Sequence, residues 1–218
     1  MLTIVIPALN AGVCLGLCLA ALDGADEIIV VDGGSSDDSA EIAEQAGARV
    51  IAAPRGRGLQ LRAGAEAARG DWLLFLHADT QLGAGWREAV IAHIATAPDH
   101  VGFFDLRLDD SAWQARVIEH GVALRVRLLG LPYGDQGLLI SRRLHDKIGG
   151  FRPLALMEDV DLALRIGRDR LLRLDATALT SAKRWRSDGW LQRSGRNLAC
   201  LMLYGMGVSP DRLARFYR

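Results

Sequence analysis

The chain has 218 residues, half of them apolar and about a quarter charged, and its 26 basic and 26 acidic side chains cancel. This length and composition fit one globular α/β domain and exclude a disordered chain, a coiled coil or a collagen-like repeat. With no net charge, no global field draws the chain to nucleic acid, so any anion site is local.

No apolar stretch reaches the ~18–20 residues of a bilayer span. The run Leu2 to Pro7 begins directly as a strand, with neither a charged leader nor a cleavage site, so the expected location is the cytoplasm. Cys14, Cys18 and Cys200 are odd in number and lack partners at metal spacing. They are read as small hydrophobes rather than a disulfide framework or a zinc site.

Leu2–Pro7 (LTIVIP) reads as a buried strand, and Asn10 is expected to cap a helix over Ala11–Leu22. Glu27–Asp32 (EIIVVD) repeats the step, with capping groups at Ser36 to Asp38 ahead of a helix over Ser39–Ala46. Arg49–Ala53, the helix Leu59–Arg69 and the strand Trp72–His77 (WLLFLH) follow. Strands apolar on both faces belong in a parallel sheet covered by helices on each side. The first half is therefore a doubly wound α/β unit, whose ligands sit outside the carboxyl ends of the strands.

After a helix at Ala84–Ala97 the alternation loosens into a mixed second half. A strand is expected at Val101–Leu108, a long helix at Ala112–Leu129 and a short strand at Gly137–Ser141. Helices at Arg142–Ile148 and Asp159–Arg168 precede a strand at Leu171–Leu174. From Trp190 onward the pattern is least regular. The apolar run Leu198–Val208 and the Ser209-Pro210 helix start before Asp211–Arg218 are expected to pack on the core, with a dimer contact or peripheral docking on a membrane surface as alternatives. No repeat or linker divides residues 1–218, so one domain is expected.

Several carboxylates stand where this architecture puts ligands. Asp32 ends the second strand in VVDGGSSDD, where Gly33 and Gly34 let the backbone turn and approach a ligand. Asp79 follows the fourth strand in LFLHADT and is a candidate ligand for Mg²⁺ or Mn²⁺, which share one or two carboxylates with substrate phosphates. His77 is read as a second metal ligand, a phosphate contact or a strand-end residue. The loop PRGRG carries Arg55 and Arg57, with Arg62 one turn on, and these suit phosphate oxygens or plain solvent. In LMEDVDLALR, Glu158 and Asp159 open a helix; Asp159 is a candidate general base or a helix cap.

Taken in order, VVDGGSSD, LHADT and MEDVDLALR resemble the family-2 glycosyltransferases of the GT-A fold, from Leu2 to about Arg168. The resemblance implies an α/β fold with a mainly parallel central sheet and transfer of a sugar from a nucleotide-diphosphate sugar, expected to be a UDP-sugar, to a small-molecule or lipid acceptor. It matches Asp32 to the acidic residue on the nucleotide base, Asp79 to the last aspartate of the DxD metal motif and Asp159 to the catalytic base, with Glu158 beside it. Pro7, Asn10, Gly33, Gly34, Arg55, Arg57, Arg62 and Ala78 fall with the donor-binding segments. Residues 1 to about 100 then form the nucleotide-sugar-binding half and 101–218 the half holding acceptor and base. Two positions depart: Gly33 replaces a second aspartate, weakening the uridine expectation, and His77 replaces the first aspartate of DxD, weakening the metal expectation.

A narrower resemblance is carried by DGGSSD, PRGRG, LHADT and Ser181–Trp185 (SAKRW), to small members associated with arsenosugar biosynthesis. Lys183, Arg184 and Trp185 resemble an RW element near the acceptor and diphosphate; an exposed amphipathic segment is the competing reading. With one candidate base and no second nucleophile, inverting single displacement is expected. Two rivals stand against this reading. A sugar nucleotidyltransferase would place a Gly-rich basic loop after the first strand, where this chain has PALNAG. A non-catalytic nucleotide-sugar-binding module would account for Gly33 and His77, but not for the retained Asp79 and Asp159.

Overall fold

A computed structural model describes residues 1–217; Arg218, within the expected C-terminal helix, lies outside the described residues. The strands are β1 (Leu2–Ala8), β2 (Glu27–Asp32), β3 (Arg49–Ala52), β4 (Trp72–Phe75), β5 (Thr80–Leu82), β6 (Val101–Leu108), β7 (Leu138–Ser141) and β8 (Leu171–Thr180). The helices are α1 (Gly12–Ala20), α2 (Ser39–Gln45), α3 (Arg57–Ala67), α4 (Trp86–Thr96), α5 (Trp113–Leu129), α6 (Arg142–Lys147), α7 (Glu158–Ile166), α8 (Lys183–Asp188), α9 (Trp190–Gly205) and α10 (Pro210–Tyr217).

All eight strands join one sheet in the order β3-β2-β1-β4-β7-β6-β8-β5. The first four run parallel, as expected, with β1 and β4 buried on both faces and β3 at the partly exposed edge. Successive residues of β1 point to opposite sides: Ile4 and Ile6 enter a core with Leu15, Cys18 and Leu22 of the α1 side, while Val5 enters a second core with Leu61, Leu162 and Ile166. Cys18 and Cys200 are buried free thiols and Cys14 is partly exposed.

The second half is mixed in direction. β7 runs antiparallel to β4, with Phe75 opposite Leu138 and Trp72 opposite Ser141. Strand β8 continues to Thr180, six residues past the expected end, because it pairs with β6 along its length and then with β5. β5 itself was not expected. Nor were the helices α8 and α9, where the sequence shows only the SAKRW segment and an apolar run at Leu198–Val208; the other elements agree with expectation to within a few residues at their ends.

One capping expectation is corrected. Asn10 does not cap α1; it sits at φ 50, and its Oδ1 accepts the Ser36 amide at 2.9 Å. The free amides at the start of α1 go to the start of α2 and the loop before it instead, Ala11 N to Ser39 Oγ at 2.8 Å and Gly12 N to Asp37 Oδ2 at 3.0 Å. The two loops at the carboxyl ends of β1 and β2 are thus tied together, with a carboxylate at a helix N-terminus.

Candidate active site

The carboxyl ends of β1, β2 and β4 and the amino end of β7 share one edge of the sheet, because β7 runs the other way. A cleft of about 140 Å³ opens beside that edge. It gathers Arg57, His77, Asp79, Glu158, Asp159, Arg184 and Trp185, seven of the residues singled out from the sequence. Residues more than a hundred positions apart meet there.

Two close approaches assemble it. α3 begins at Arg57, two residues earlier than expected, and a Cβ on Gly58 would lie 2.5 Å from the Arg152 carbonyl oxygen. Only glycine lets the helix start press against the segment leading into α7. Arg57 Nη1 then donates to Glu158 Oε1 at 3.0 Å, joining the PRGRG loop to the ED motif. Burial opposes the charge on Arg57, but Glu158, Asp159 and Asp79 more than offset it and raise its pKa, so the guanidinium stays protonated.

The second approach is at Gly134, whose added Cβ would fall 2.3 Å from His77 Nε2. Its amide donates to Asp159 Oδ2 at 3.0 Å, while His77 Nε2 lies 3.9 Å from the same oxygen, beyond hydrogen-bond range. His77 Nε2 is buried with no partner among the described residues. Burial, then the charges of Arg57 and Arg184, push the imidazole pKa well down, so it is neutral. A neutral ring with an open nitrogen is a metal donor or hydrogen-bonding group, not a cation.

Asp159 lies in the first turn of α7, after Met157 at φ 66. Burial and the adjacent Glu158 push its pKa up to about 7, against the opposing pull of Arg57 and the Gly134 amide. A carboxylate so placed is poised to take a proton near neutral pH.

Asp79 sits in the turn closed by Thr80 N to His77 O at 3.1 Å, and its own carbonyl accepts the Ser181 amide at 3.0 Å. Thr80 and Thr180 share a hydrogen bond of 2.8 Å, and Thr180 Oγ1 donates to the Asp135 carbonyl at 3.1 Å. This ladder brings the LHADT turn, the SAKRW segment and the Tyr133–Gln136 turn to one place. Trp185 stacks on Trp190, with ring centroids 6.2 Å apart, and Arg184 is exposed at the rim.

The other singled-out residues lie outside this lining. Asp32 ends β2 opposite Ala8, and its carboxylate accepts the amides of Gly34 and Ser35 at 3.1 Å. Pro7 pairs with Val31 on the same edge, beside Asn10, Gly33 and Gly34. A Cβ on Gly33 would lie 3.0 Å from Gln60 Nε2, which donates to the Ala8 and Val31 carbonyls at 2.7 and 2.8 Å. The space of a side chain at position 33 is thus taken by Gln60. Ala78 is buried between His77 and Asp79, Arg55 is exposed, and Arg62 faces solvent in an ion pair with Glu66 at 2.8 Å.

Sequence reasoning missed Tyr133, Asp135, Arg193, Asn197 and Tyr217, which also line the cleft. Asp135 is the most telling, since its Oδ1 is buried without a partner among the described residues. Burial and the charge of Asp79 push its pKa up, against Arg125 and Arg57. Its signal was present in LPYGDQG, a carboxylate in a Gly-rich turn before a strand. Without the direction of β7 that turn could not be assigned to this edge.

Among the described residues no group of three or more His, Cys, Asp or Glu side chains is arranged to hold a metal. Asp79 and His77 therefore fit only an ion that takes its remaining ligands from a substrate or water.

The model for glycosyl transferase family 2 matches residues 3–156. The chain is 35% identical over 100 residues to an uncharacterized glycosyltransferase of Mycobacterium tuberculosis, covering 45% of this chain and 46% of that one. It is 37% identical over 93 residues to a PGL/p-HBAD biosynthesis glycosyltransferase of the same organism, covering 38% and 36%. The chain thus spans less than half the length of these curated relatives. Glucosyl-3-phosphoglycerate synthase from M. tuberculosis, solved with Mn²⁺, UDP and glucosyl-3-phosphoglycerate, superposes with a TM-score of 0.58 at 22% identity, over 83% of this chain and 70% of that one. The same enzyme solved with Mn²⁺ and UDP-glucose gives 0.59 at 20% identity, over 83% and 69%. At that identity the likeness is one of fold, and the fold is GT-A. The family model covers well over half of the chain, and this protein belongs to glycosyl transferase family 2.

Proposed function

We propose that the protein moves a sugar from a nucleotide-diphosphate sugar, in the first instance a UDP-sugar, to an acceptor hydroxyl by inverting single displacement. The observation that carries this reading is the convergence of Arg57, His77, Asp79, Asp159 and Arg184 on one cleft. Residues 1 to about 100 supply the donor side, and 101–218 the base and the acceptor side.

Asp32 stands two strands from β4 in the order β2-β1-β4, roughly 10 Å away at ordinary strand spacing. A nucleoside diphosphate bridges that distance, with its base or ribose toward Asp32 and its phosphates toward Asp79. Gln60 fills the space beside Gly33, so base recognition falls to Asp32 and the backbone between Pro7 and Asn10.

Asp79 and neutral His77 would hold a divalent ion whose other ligands are diphosphate oxygens, in line with the Mn²⁺ present with UDP-glucose in the structural neighbour. When bound, such an ion supplies positive charge to the departing diphosphate. Arg57 and Arg184 give the same oxygens fixed cationic donors. Asp159 takes the acceptor hydroxyl proton, and the Gly134 amide holds its carboxylate in place. The bond from sugar to diphosphate breaks as the acceptor oxygen bonds to the anomeric carbon, and the nucleotide diphosphate leaves.

The acceptor is read from weaker support. The segments DGGSSD, PRGRG, LHADT and SAKRW favour a small acceptor of the arsenosugar kind, and Tyr133, Asn197 and Tyr217 offer it hydroxyl and amide partners. The test is nucleotide release from UDP-, GDP-, ADP- and dTDP-sugars by the purified chain with Mn²⁺. Release that stops with EDTA supports the reading; pyrophosphate from an NTP and a sugar phosphate would replace it with nucleotidyl transfer.

A further inference from the structure

Two helices carry large apolar side chains on their outward faces in addition to those they turn to the core, beyond the single apolar stripe usual for a surface helix. On α9 the exposed positions are Leu191, Gln192, Gly195, Leu198, Met202 and Gly205, none of them charged. Leu191 is 90% exposed. The helix's own cations, Arg193 and Arg196, turn toward Asp188 instead, at 2.7 and 3.8 Å. On α5, Trp113, Val117, Leu124 and Leu128 recur at helical spacing along one exposed stripe, which contains no acidic residue. Ile118 and Val122 of α5 and Trp190 at the start of α9 pack against the same small core of Leu106, Leu108, Ala115 and Ala182, so both helices cover that part of the fold.

The charge around them is one-sided. From Lys183 to its end the sequence has eight basic and two acidic residues, in a chain whose total balances. Arg127, Lys183, Arg212 and Arg215 are exposed and have no acidic partner among the described residues. Folding accounts for neither feature, since outward leucines and unpaired arginines stabilise nothing inside the protein.

We propose that the outward faces of α5 and α9, with the basic residues bordering them, form a docking surface for an anionic lipid bilayer. Apolar side chains enter the boundary between headgroups and acyl chains, while arginines and lysine stay with the anionic headgroups. A second copy of the chain is the weaker occupant, because a two-fold contact sets each patch on its own image and brings like cations together. No helix among the described residues is long and apolar enough to cross a membrane, so contact at this face is peripheral. The surface is inferred independently of any transfer chemistry.

Cosedimentation of the full chain with vesicles tests it. We expect binding to phosphatidylcholine containing roughly a third phosphatidylglycerol, weakened by salt, and about tenfold weaker binding to phosphatidylcholine alone. Leu191→Gln/Leu198→Gln/Met202→Gln and Trp113→Gln/Leu124→Gln/Leu128→Gln, checked for folding by circular dichroism, should each lower binding to the anionic vesicles by about tenfold or more. No binding of the unchanged chain to anionic vesicles overturns the proposal even where a variant fails to fold. Binding that both folded variants retain overturns it too. So does a dimer, measured by light scattering, that the substitutions dissociate while vesicles capture nothing.

Discussion

Replacing Asp159 by Asn separates stability from chemistry in one variant. A carboxyl raised from 3.8 to about 7 holds its proton more tightly in the folded chain than in the unfolded one. Between those values the native state binds more protons, so stability falls as pH rises through the window, and the loss is complete above about 7. The full displacement corresponds to a ceiling of about 4 kcal/mol. An amide replaces the neutral acid imperfectly, so about 1–3 kcal/mol of that ceiling is the expected gain for Asp159→Asn at pH 8. The amide oxygen still accepts the Gly134 N–H. Urea unfolding of both proteins at pH 4 and pH 8 measures the effect: near-equal stability at pH 4, with Asn the more stable at pH 8. Transfer by the variant should fall at least about 100-fold while donor binding persists. A variant less stable at pH 8, or one that turns over normally, would refute the reasoning.

Further consequences follow from the same geometry. Gly134→Ala puts a methyl group 2.3 Å from His77 Nε2; thermal unfolding should show a loss of about 1–3 kcal/mol, and metal-dependent stabilisation by the donor should disappear. Gln60→Ala deprives the Ala8 and Val31 carbonyls of a donor at a cost of about 1–2 kcal/mol in urea unfolding. In that background Gly33→Asp should be better tolerated than in the unaltered chain, a coupling that a double-mutant cycle reads directly. Arg184→Ala should change stability by less than about 0.5 kcal/mol, since the side chain is exposed, yet weaken donor binding by calorimetry about tenfold.

The first half of the fold was legible because its signals are local. Apolar runs such as EIIVVD and WLLFLH, each closed by a turn with a carboxylate, identify strands and the edge where ligands gather. Strand direction is not local, and that is why Asp135 went unseen: β7 has to be antiparallel to β4 before its preceding turn joins Asp79. β5 escaped because three residues directly after the LHADT turn carry no periodicity. The end of β8, DATALT, has too few apolar residues to read as a strand until β6 and β5 flank it. Asn10 was misassigned as a cap because its tie to Ser36 crosses between loops 26 positions apart. The C-terminal helices were hard to read for a physical reason as well. Apolar residues there face both ways, Leu191, Leu198 and Met202 outward and Cys200 and Leu213 inward, so no single apolar stripe marks the buried face, and Arg193, Asn197 and Tyr217 reach the cleft from the side away from the outward residues.

The most direct test of the central claim is the melting temperature of the purified chain titrated with UDP-, GDP-, ADP- and dTDP-sugars, with and without Mn²⁺. Ligand that binds only the native state at about 100 times its Kd adds about 2.7 kcal/mol. One nucleotide series, expected to be UDP, should raise the melting temperature with Mn²⁺ and lose that effect with EDTA or in Asp79→Asn. Absence of any shift with all four series, or a shift that Asp79→Asn leaves unchanged, would contradict a donor site built on this edge of the sheet.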